Sequence, residues 1–396
     1  MHTLKQLKSG QLDGIKRLSL SEQLSAFPSE ILSLADSLEI LDLSNNSLCS
    51  LPDEIASLHK LKILFASNNH FTVLPEVLGQ LPNLEMIGFK SNQIEQVPHN
   101  SLPPKLRWLI LTDNKITSLP DSLGERPRLQ KLALAGNRLT SLPQTLSQCH
   151  NLELIRISAN QLSHCPDQLL KLPKLAWFAF AGNPFSQSSK TITSVPNVKS
   201  TDFELGDILG HGASGVIYKA KWKTTQTSFR EDIAVKVFKG QITSDGYPSD
   251  ELRACLKTGS HPNLVASIAQ VDEKDCRALI MSLIPENYRN LGLPPSFASC
   301  TRDTFETGQS LSQQQADKII TQMQAVFNYL HDNQVCHGDL YAHNTLYDDQ
   351  ANIIFGDFGA ASIYDMLNTQ QQACIRTIEA RSLAHFIDDI QGLCKA

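Results

Sequence analysis

Three polar residues in the C-terminal part of the chain have the types and spacing needed for chemistry on phosphate. Asp339 and Asn344 lie five residues apart, and Asp357 follows a short β-rich run and opens the tripeptide Asp-Phe-Gly. Phosphoryl transfer needs a carboxylate that orients or deprotonates the attacking hydroxyl, together with two oxygen ligands for magnesium. The three side chains together therefore indicate a phosphoryl-transfer site.

Three upstream features would position that site. The glycine pattern Gly210–Gly215 is followed at once by apolar, β-branched residues, which indicates a loop between two strands rather than the start of a helix. The short strand Ile233–Lys236 ends in a lysine that can reach phosphate groups. A helix carrying Glu251 would hold Lys236 by an ion pair, and Asp250 is the neighbouring candidate for that pair.

In this order and spacing, residues from about 203 onward resemble the eukaryotic-type protein kinase family. The resemblance implies a bilobal α+β domain that uses ATP with magnesium or manganese. It also implies that Lys236 anchors the phosphates, that Glu251 positions Lys236, that Asp339 is the catalytic base, and that Asn344 and Asp357 hold the metal. The nucleotide-binding residues it implies are Leu209, Gly210, Gly212, Gly215, Ile217, Ala234, Lys236, Met281, Leu283 and Leu346.

Three residues of the catalytic stretch depart from the usual family pattern. Gly338 stands where most regulated protein kinases carry arginine, so activity should not depend on a phosphorylated activation loop. Tyr341 replaces the usual lysine that touches the transferred phosphate, and His343 stands where tyrosine kinases use arginine. The sequence His-Gly-Asp also resembles small-molecule kinases of the aminoglycoside and choline kinase type, although those enzymes usually lack Asp-Phe-Gly.

The large lobe is also shorter than the family pattern. Between Asp357 and Ala396 there is no Ala-Pro-Glu tripeptide, and the run Glu379–Ile387 resembles the family's Asp-x-Trp-Ser-x-Gly helix. On that match the activation segment is about half the usual length and the last helices of the large lobe are absent. The resemblance thus predicts a C-terminally shortened kinase whose ATP site is complete.

The N-terminal half is a different object, built from a repeat of 22 or 23 residues. Each repeat follows the pattern of Leu129-x-x-Leu132-x-Leu134-x-x-Asn137-x-Leu139. The recurring asparagines are Asn46, Asn69, Asn92, Asn114, Asn137, Asn160 and Asn183. This period predicts a leucine-rich repeat solenoid, a parallel β horseshoe in which each repeat adds one strand and buried asparagines satisfy backbone groups.

The solenoid would bind a protein on its concave face. Two outward-facing positions of successive repeats are largely apolar, and such stripes usually mark docking surfaces. The predicted contact residues are Ile40, Ile63, Phe65, Met86, Trp108, Ile110, Leu154 and Trp177. The ligand would be another protein or the chain's own kinase domain; alternatively, neighbouring side chains bury this column.

The composition of the chain bears on its binding partners and its compartment. A net charge of −5 favours neither nucleic acid nor a membrane surface, and no apolar run approaches a membrane span. The nine cysteines form no Cys-x-x-Cys pair and look like core residues in a reducing compartment, so a cytoplasmic location is expected.

The sequence therefore predicts an α/β protein with three parts: repeats over residues 1–185, a linker over 186–201, and a kinase-like domain over 202–396. The leading interpretation is a serine/threonine protein kinase, of a type that looks bacterial, whose repeats recruit a substrate or regulator. The alternatives are a pseudokinase scaffold that binds partners through its repeats, and a small-molecule kinase.

Overall fold

The computed structural model describes residues 2–188, 195–212, 214–223, 232–239, 242–243 and 245–394. The chain divides into two compact units. The first comprises Met1–Leu175 and Asn183–Phe185, and the second comprises Ala176–Gly182 and Ser186–Ala396. Residues 189–194 of the predicted linker lie outside the described residues, and the boundaries at 185 and 202 stay a prediction.

The first unit contains a parallel sheet with one three-residue strand per repeat, which confirms the predicted solenoid. Neighbouring strands pair in register, so that Ile40 lies opposite Ile63 and Ile63 lies opposite Met86. Helix α1 is Leu4–Lys8, and the strands are β1 (Arg17–Ser19), β2 (Ile40–Asp42), β3 (Ile63–Phe65), β4 (Met86–Gly88), β5 (Trp108–Ile110), β6 (Lys131–Ala133) and β7 (Leu154–Arg156).

The repeated asparagines form a buried ladder beside the strands. The side-chain amide of Asn69 donates to the carbonyl of Leu43 at 3.0 Å and to that of Ala66 at 3.1 Å, while its oxygen accepts from the Leu48 amide at 2.9 Å. Because each asparagine bridges consecutive repeats in this way, the buried backbone groups of the turns are satisfied.

The convex side consists of short helical turns, and a proline immediately precedes most of them. Pro52, for example, precedes the 3-10 helix Asp53–Ser57. The other turns of this side are Ser29–Leu34, Glu76–Gln80, His99–Ser101, Asp121–Glu125, Gln144–Gln148 and the α-helical turn α2 (Asp167–Leu170). Since these prolines lie outside the sheet, no ladder hydrogen bond is lost.

The apolar column predicted on the concave face is buried or partly buried, and its role in binding a protein stays a prediction. Ile63, Met86, Leu154 and Trp177 are buried, and Ile40, Phe65, Trp108 and Ile110 are partly buried. Within the first unit, the Lys131 ammonium lies 4.3 Å from the centre of the Trp108 ring.

The small lobe of the second unit is a five-stranded antiparallel sheet with one helix. Its strand order is β12-β13-β11-β10-β9, and helix α3 follows β11 in the chain. The second unit begins with the strand β8 (Trp177–Ala179) of the segment Ala176–Gly182. The small lobe then contains β9 (Phe203–His211), β10 (Gly215–Trp222), β11 (Asp232–Phe238), α3 (Pro248–Thr258), β12 (Ser267–Glu273) and β13 (Cys276–Ser282).

The large lobe contains two long helices, α4 and α5. Helix α4 begins after a capping box of Ser312 and Gln315, and its apolar face, including Ile319 and Met323, lies in the core. The elements of this lobe are β14 (Arg289–Asn290), α4 (Gln313–Asp332), β15 (Val335–Cys336), β16 (Thr345–Tyr347), β17 (Ile353–Phe355), β18 (Ser362–Ile363) and α5 (Thr369–Gly392).

Only residues 358–368 separate Asp357 from the start of α5 at Thr369, so the segment after Asp-Phe-Gly is short. Part of it is strand β18, which pairs with β15 just before the predicted catalytic residues. Among the described residues, no helix combines the length and the hydropathy that a membrane span requires.

Candidate functional site

The predicted nucleotide-binding residues surround a cavity of about 570 Å³ in the second unit. Its volume lies in the usual range for small-molecule sites. The predicted residues that line it are Leu209, Gly212, Ile217, Ala234, Lys236, Glu251, Met281, Leu283, Leu346 and Asp357. Val265 and Leu279 also line it and were not singled out in the sequence, because single apolar residues are too common to stand out.

Two of the predicted glycines, Gly210 and Gly215, lie outside the cavity lining. Gly215 is nevertheless required by packing, because a Cβ at this position would lie 2.3 Å from the carbonyl oxygen of Val237 on the neighbouring strand. Gly212 donates its amide to the Gly215 carbonyl at 2.9 Å and closes the turn between β9 and β10. The loop is therefore a strand-to-strand turn, as its sequence indicates.

The buried Lys236 side chain projects from β11 toward two carboxylates, buried Glu251 and exposed Asp357. Its ammonium donates to Glu251 on α3 and lies 4.0 Å from Asp357. Burial alone lowers the pKa of Lys236, but the negative charges of Glu251 and Asp357 outweigh it and hold that pKa above its usual value. Lys236 therefore stays positively charged. The neighbouring Asp250 lies instead against Gly182, where an added Cβ would meet its carboxylate at 2.6 Å.

Asp357 adopts an unusual backbone conformation at the edge of the cavity. Its φ of 57° and ψ of 76° lie in the left-handed region, and its carboxylate accepts from the Gly359 amide at 3.3 Å. Left-handed residues other than glycine occur most often where the surrounding structure imposes them, as at functional sites. The conformation leaves the Asp357 side chain 57% exposed, beside buried Lys236.

Asp339 and Asn344 lie in a loop, His337–Asn344, that we call the catalytic loop. The Asn344 amide donates to the Asp339 carboxylate at 2.9 Å and to the Asp339 carbonyl at 3.0 Å. The Gly356 amide in turn donates to the Asn344 carbonyl at 3.2 Å, and Nε2 of His337 donates to the Gly356 carbonyl at 3.1 Å. These bonds connect the catalytic loop to the residue before Asp357.

Gly338, beside Asp339, has no room for a side chain. Its φ is +70°, and a Cβ would lie 2.8 Å from the Ala360 carbonyl oxygen and 2.9 Å from that of Phe178. Its amide donates to Glu379 of α5 at 2.8 Å. The absence of arginine at this position thus follows from the local backbone and not only from the chemistry of regulation.

The catalytic loop is held from its other side by Asp303, which the sequence did not single out. One carboxylate oxygen accepts from the Ala342 amide at 2.6 Å, and the other accepts from Nδ1 of His343 at the same distance of 2.6 Å. Burial lowers the pKa of His343, but the bond to Asp303 and the charges of Asp303, Asp339 and Asp357 raise it more. Asp303 lies in a stretch without periodicity, so no sequence signal was available.

Comparison with family models agrees with this division of the chain. Residues 203–378 match the model described as "Protein kinase domain". The model described as "Leucine rich repeat" matches residues 36–94, 104–162 and 127–185.

Curated relatives match about two fifths of the chain. The chain is 26% identical over 162 residues to serine/threonine-protein kinase pakH of Dictyostelium discoideum, covering 41% of this chain and 28% of that protein. It is 27% identical over 168 residues to serine/threonine-protein kinase PITSLRE of Drosophila melanogaster, covering 41% of this chain and 16% of that protein. The chain thus spans less than a third of the length of these relatives.

A solved LRR protein of Leptospira interrogans is 28% identical, with 45% of this chain and 57% of that chain covered, at a TM-score of 0.30. That TM-score is too low for a conclusion about the fold. The comparisons do not confirm the bacterial type. They do agree with the two halves read from the sequence: leucine-rich repeats in the N-terminal part of the chain are followed by a protein kinase domain.

Proposed function

We propose that this chain transfers the terminal phosphoryl group of ATP to serine or threonine residues of a protein. The observation that carries the proposal is the charged cluster at one end of an apolar cavity, where Lys236 lies between Glu251 and Asp357. Protein kinases require such a lysine–glutamate pair together with the aspartate of Asp-Phe-Gly. The apolar remainder of the cavity suits the adenine ring.

Each polar residue has one role in this proposal. Lys236 binds the phosphates and Glu251 holds Lys236 in place, since buried Lys236 would otherwise need another counter-charge. Asp339 orients the attacking hydroxyl and accepts its proton, and the hydrogen bond from Asn344 fixes the direction of the Asp339 carboxylate.

The residues present fit a divalent metal, which we propose to be magnesium. Asp357 offers an exposed carboxylate, and Asn344 uses its amide nitrogen on Asp339 and so keeps its amide oxygen for a ligand. Carboxylate and amide oxygens are the ligands that magnesium prefers. The bound metal would neutralise charge on the phosphates, while Asp357 and Asn344 would hold it beside Lys236.

A protein substrate is favoured over the alternatives. The relatives carry names of serine/threonine-protein kinases, and those names favour this class over a small-molecule kinase or a pseudokinase scaffold. We further propose that the repeats bind a protein, either the substrate or a regulator, because leucine-rich repeats commonly present binding surfaces. The half-buried Trp108 and Phe65 would be peripheral to that contact rather than its exposed anchors.

We also propose a reducing, cytoplasmic environment. The nine cysteines, at positions 49, 149, 165, 255, 276, 300, 336, 374 and 394, form no disulfide. Disulfides persist in oxidising compartments, so cysteines that are not linked to one another favour the cytoplasm.

The proposal is tested by phosphoamino-acid analysis. The full chain is incubated with magnesium, radiolabelled ATP and dephosphorylated casein, and the labelled protein is hydrolysed. We expect phosphoserine and phosphothreonine, with the signal reduced by at least about 100-fold in Lys236→Met because charge stabilisation at the phosphates is lost. Lys239→Met, which changes an exposed lysine after β11, is the matched control. Label on tyrosine alone, or equal activity in Lys236→Met, would contradict the proposal.

A further inference from the structure

The second unit includes seven residues that precede the kinase-like sequence, Ala176–Gly182. The sequence placed Trp177 of this segment in the ligand-binding column of the repeats. Trp177 is 1% exposed, and its ring stacks on residues of the large lobe.

Trp177 makes two kinds of contact with the catalytic loop. Its indole N–H donates to the carbonyl of Leu340 at 3.2 Å, directly after Asp339. Its ring stacks on Tyr341, with centroids 4.7 Å apart and planes inclined by 7°. One side chain thus restrains both the backbone and a side chain next to the proposed catalytic base. Aromatic stacks stabilise a contact beyond the apolar area that they bury.

The opposite face of the Trp177 ring is also covered. His385 of α5 stacks on it with centroids 5.3 Å apart and planes inclined by 14°. Arg302 donates to Nδ1 of His385 at 3.1 Å and to the His385 carbonyl at 3.2 Å. The next residue, Asp303, is the one that binds Ala342 and His343 of the catalytic loop. Trp177 and Asp303 therefore hold the catalytic loop from two sides, and His385 and Arg302 connect them.

The rest of the segment binds the strands on either side of the catalytic residues. The amides of Phe180 and Ala181 donate to the Ser362 hydroxyl of β18 at 2.9 and 3.0 Å. The Cys336 thiol of β15 donates to the Phe178 carbonyl at 3.5 Å. Phe178 also approaches Gly338 so closely that a Cβ there would lie 2.9 Å from its carbonyl oxygen.

We propose that the Ala176–Gly182 segment is a working part of the kinase and that Trp177 is a positioning residue for the catalytic loop. This inference rests on the proposed kinase function. The usual lysine of the loop is here Tyr341, a buried ring whose stacking partner is supplied from outside the kinase-like sequence. Loss of Trp177 would leave the cavity intact and release the loop that carries Asp339.

The test compares full-length Trp177→Leu and Trp177→Phe with the wild type by steady-state kinetics. Because a displacement of about 1 Å at a catalytic group costs on the order of 100-fold in rate, we expect kcat of Trp177→Leu to fall about 10- to 100-fold. Trp177→Phe, which keeps a ring but loses the N–H donor, should fall by a smaller factor. KM for ATP should stay near the wild-type value, since Trp177 does not line the ATP cavity.

The matched controls are Trp222→Leu and Trp222→Phe, which change a tryptophan of β10 packed against Phe203 in the small lobe. They should leave kcat near that of the wild type. Wild-type kcat in both Trp177 variants would overturn the inference, as would a fall of equal size in the Trp222 controls.

A second measurement does not depend on turnover, and it still tests the inference if Trp177→Leu does not fold, because it uses Trp177→Phe. Amide hydrogen exchange at residues 338–344 is compared between the wild type and Trp177→Phe. We expect faster exchange there and unchanged exchange in α4, since the stack and the bond to Leu340 restrain the loop. Unchanged exchange at 338–344 would overturn the inference, whether or not the wild type is active. An inactive wild type would by itself contradict only the kinase function.

Discussion

At the scale of single residues, Gly338 shows how a departure from a family pattern can have a backbone cause. A side chain here would need a left-handed conformation and would also collide with two carbonyl oxygens, those of Ala360 and Phe178. Gly308 has a similar φ, +85°, but nothing within 4 Å of its would-be Cβ. A comparison of substitutions at Gly308 and Gly338 therefore distinguishes the cost of the left-handed backbone from the cost of the steric collision.

We predict that Gly308→Ala costs about 1 kcal/mol of unfolding free energy, the usual penalty for an L-residue in this region. Gly338→Ala should cost several kcal/mol in addition, because the backbone of two neighbouring segments must shift. Urea unfolding of the full chain, monitored by a probe in the large lobe, measures both. Equal losses in the two variants would show that the close approach at Gly338 is relieved at no cost.

At the scale of elements, α5 supports the catalytic loop through a buried polar pair. Glu379 accepts from the Gly338 amide, and its other oxygen lies 3.2 Å from Nε2 of His331 on α4. Burial raises the pKa of Glu379 to about 7 and lowers that of His331 to about 4. The folded pair thus holds one proton, carried by Glu379, over most of the mildly acidic range.

The two pKa shifts act on stability with opposite signs. Between about pH 4.5 and 6.5 the unfolded chain protonates His331 but not Glu379, whereas the folded chain protonates Glu379 but not His331. Each state then binds one proton at this pair, so the pair contributes little pH dependence in the wild type.

Glu379→Gln removes the group that takes up a proton in the folded state and leaves His331 as the only titrating member of the pair. Because only the unfolded state of the variant gains a proton as the pH falls through this window, its stability should drop by roughly 1–3 kcal/mol between pH 6.5 and 4.5 relative to the wild type. The measurement is the urea midpoint across that range, with the exposed Glu306→Gln as control. Parallel curves for Glu379→Gln and the wild type would contradict the assigned protonation of the pair.

The sequence predicted the elements of the repeats well. The repeat period predicted the parallel strands and the asparagine ladder. These features are local or periodic, so the pattern contains them. Asp303 and Trp177 could not be found in this way, because their contacts join residues far apart in the chain. For Trp177 the repeat pattern gave the strand position correctly but not what packs against its ring.

At the scale of the whole molecule, the chain contains leucine-rich repeats followed by a protein kinase domain with a short segment after Asp-Phe-Gly. The hydroxyl groups of that segment, on Ser362 and Tyr364, are buried and hydrogen-bonded. The segment therefore offers no exposed hydroxyl for a phosphorylation switch. Activity without such a modification stays a prediction, and the existing pair of Lys236 and Glu251 is consistent with it.

The most direct test of the account is phosphate transfer from ATP by the unphosphorylated full chain, with Asp339→Asn beside it. Asp339→Asn keeps the shape of the side chain but removes the proton acceptor, and general-base catalysis is typically worth about 100- to 10,000-fold. We expect magnesium-dependent transfer by the wild type, a loss of that order in Asp339→Asn, and ATP binding by both. ATP binding without transfer by the wild type, or equal rates in the two proteins, would contradict the proposed catalytic function.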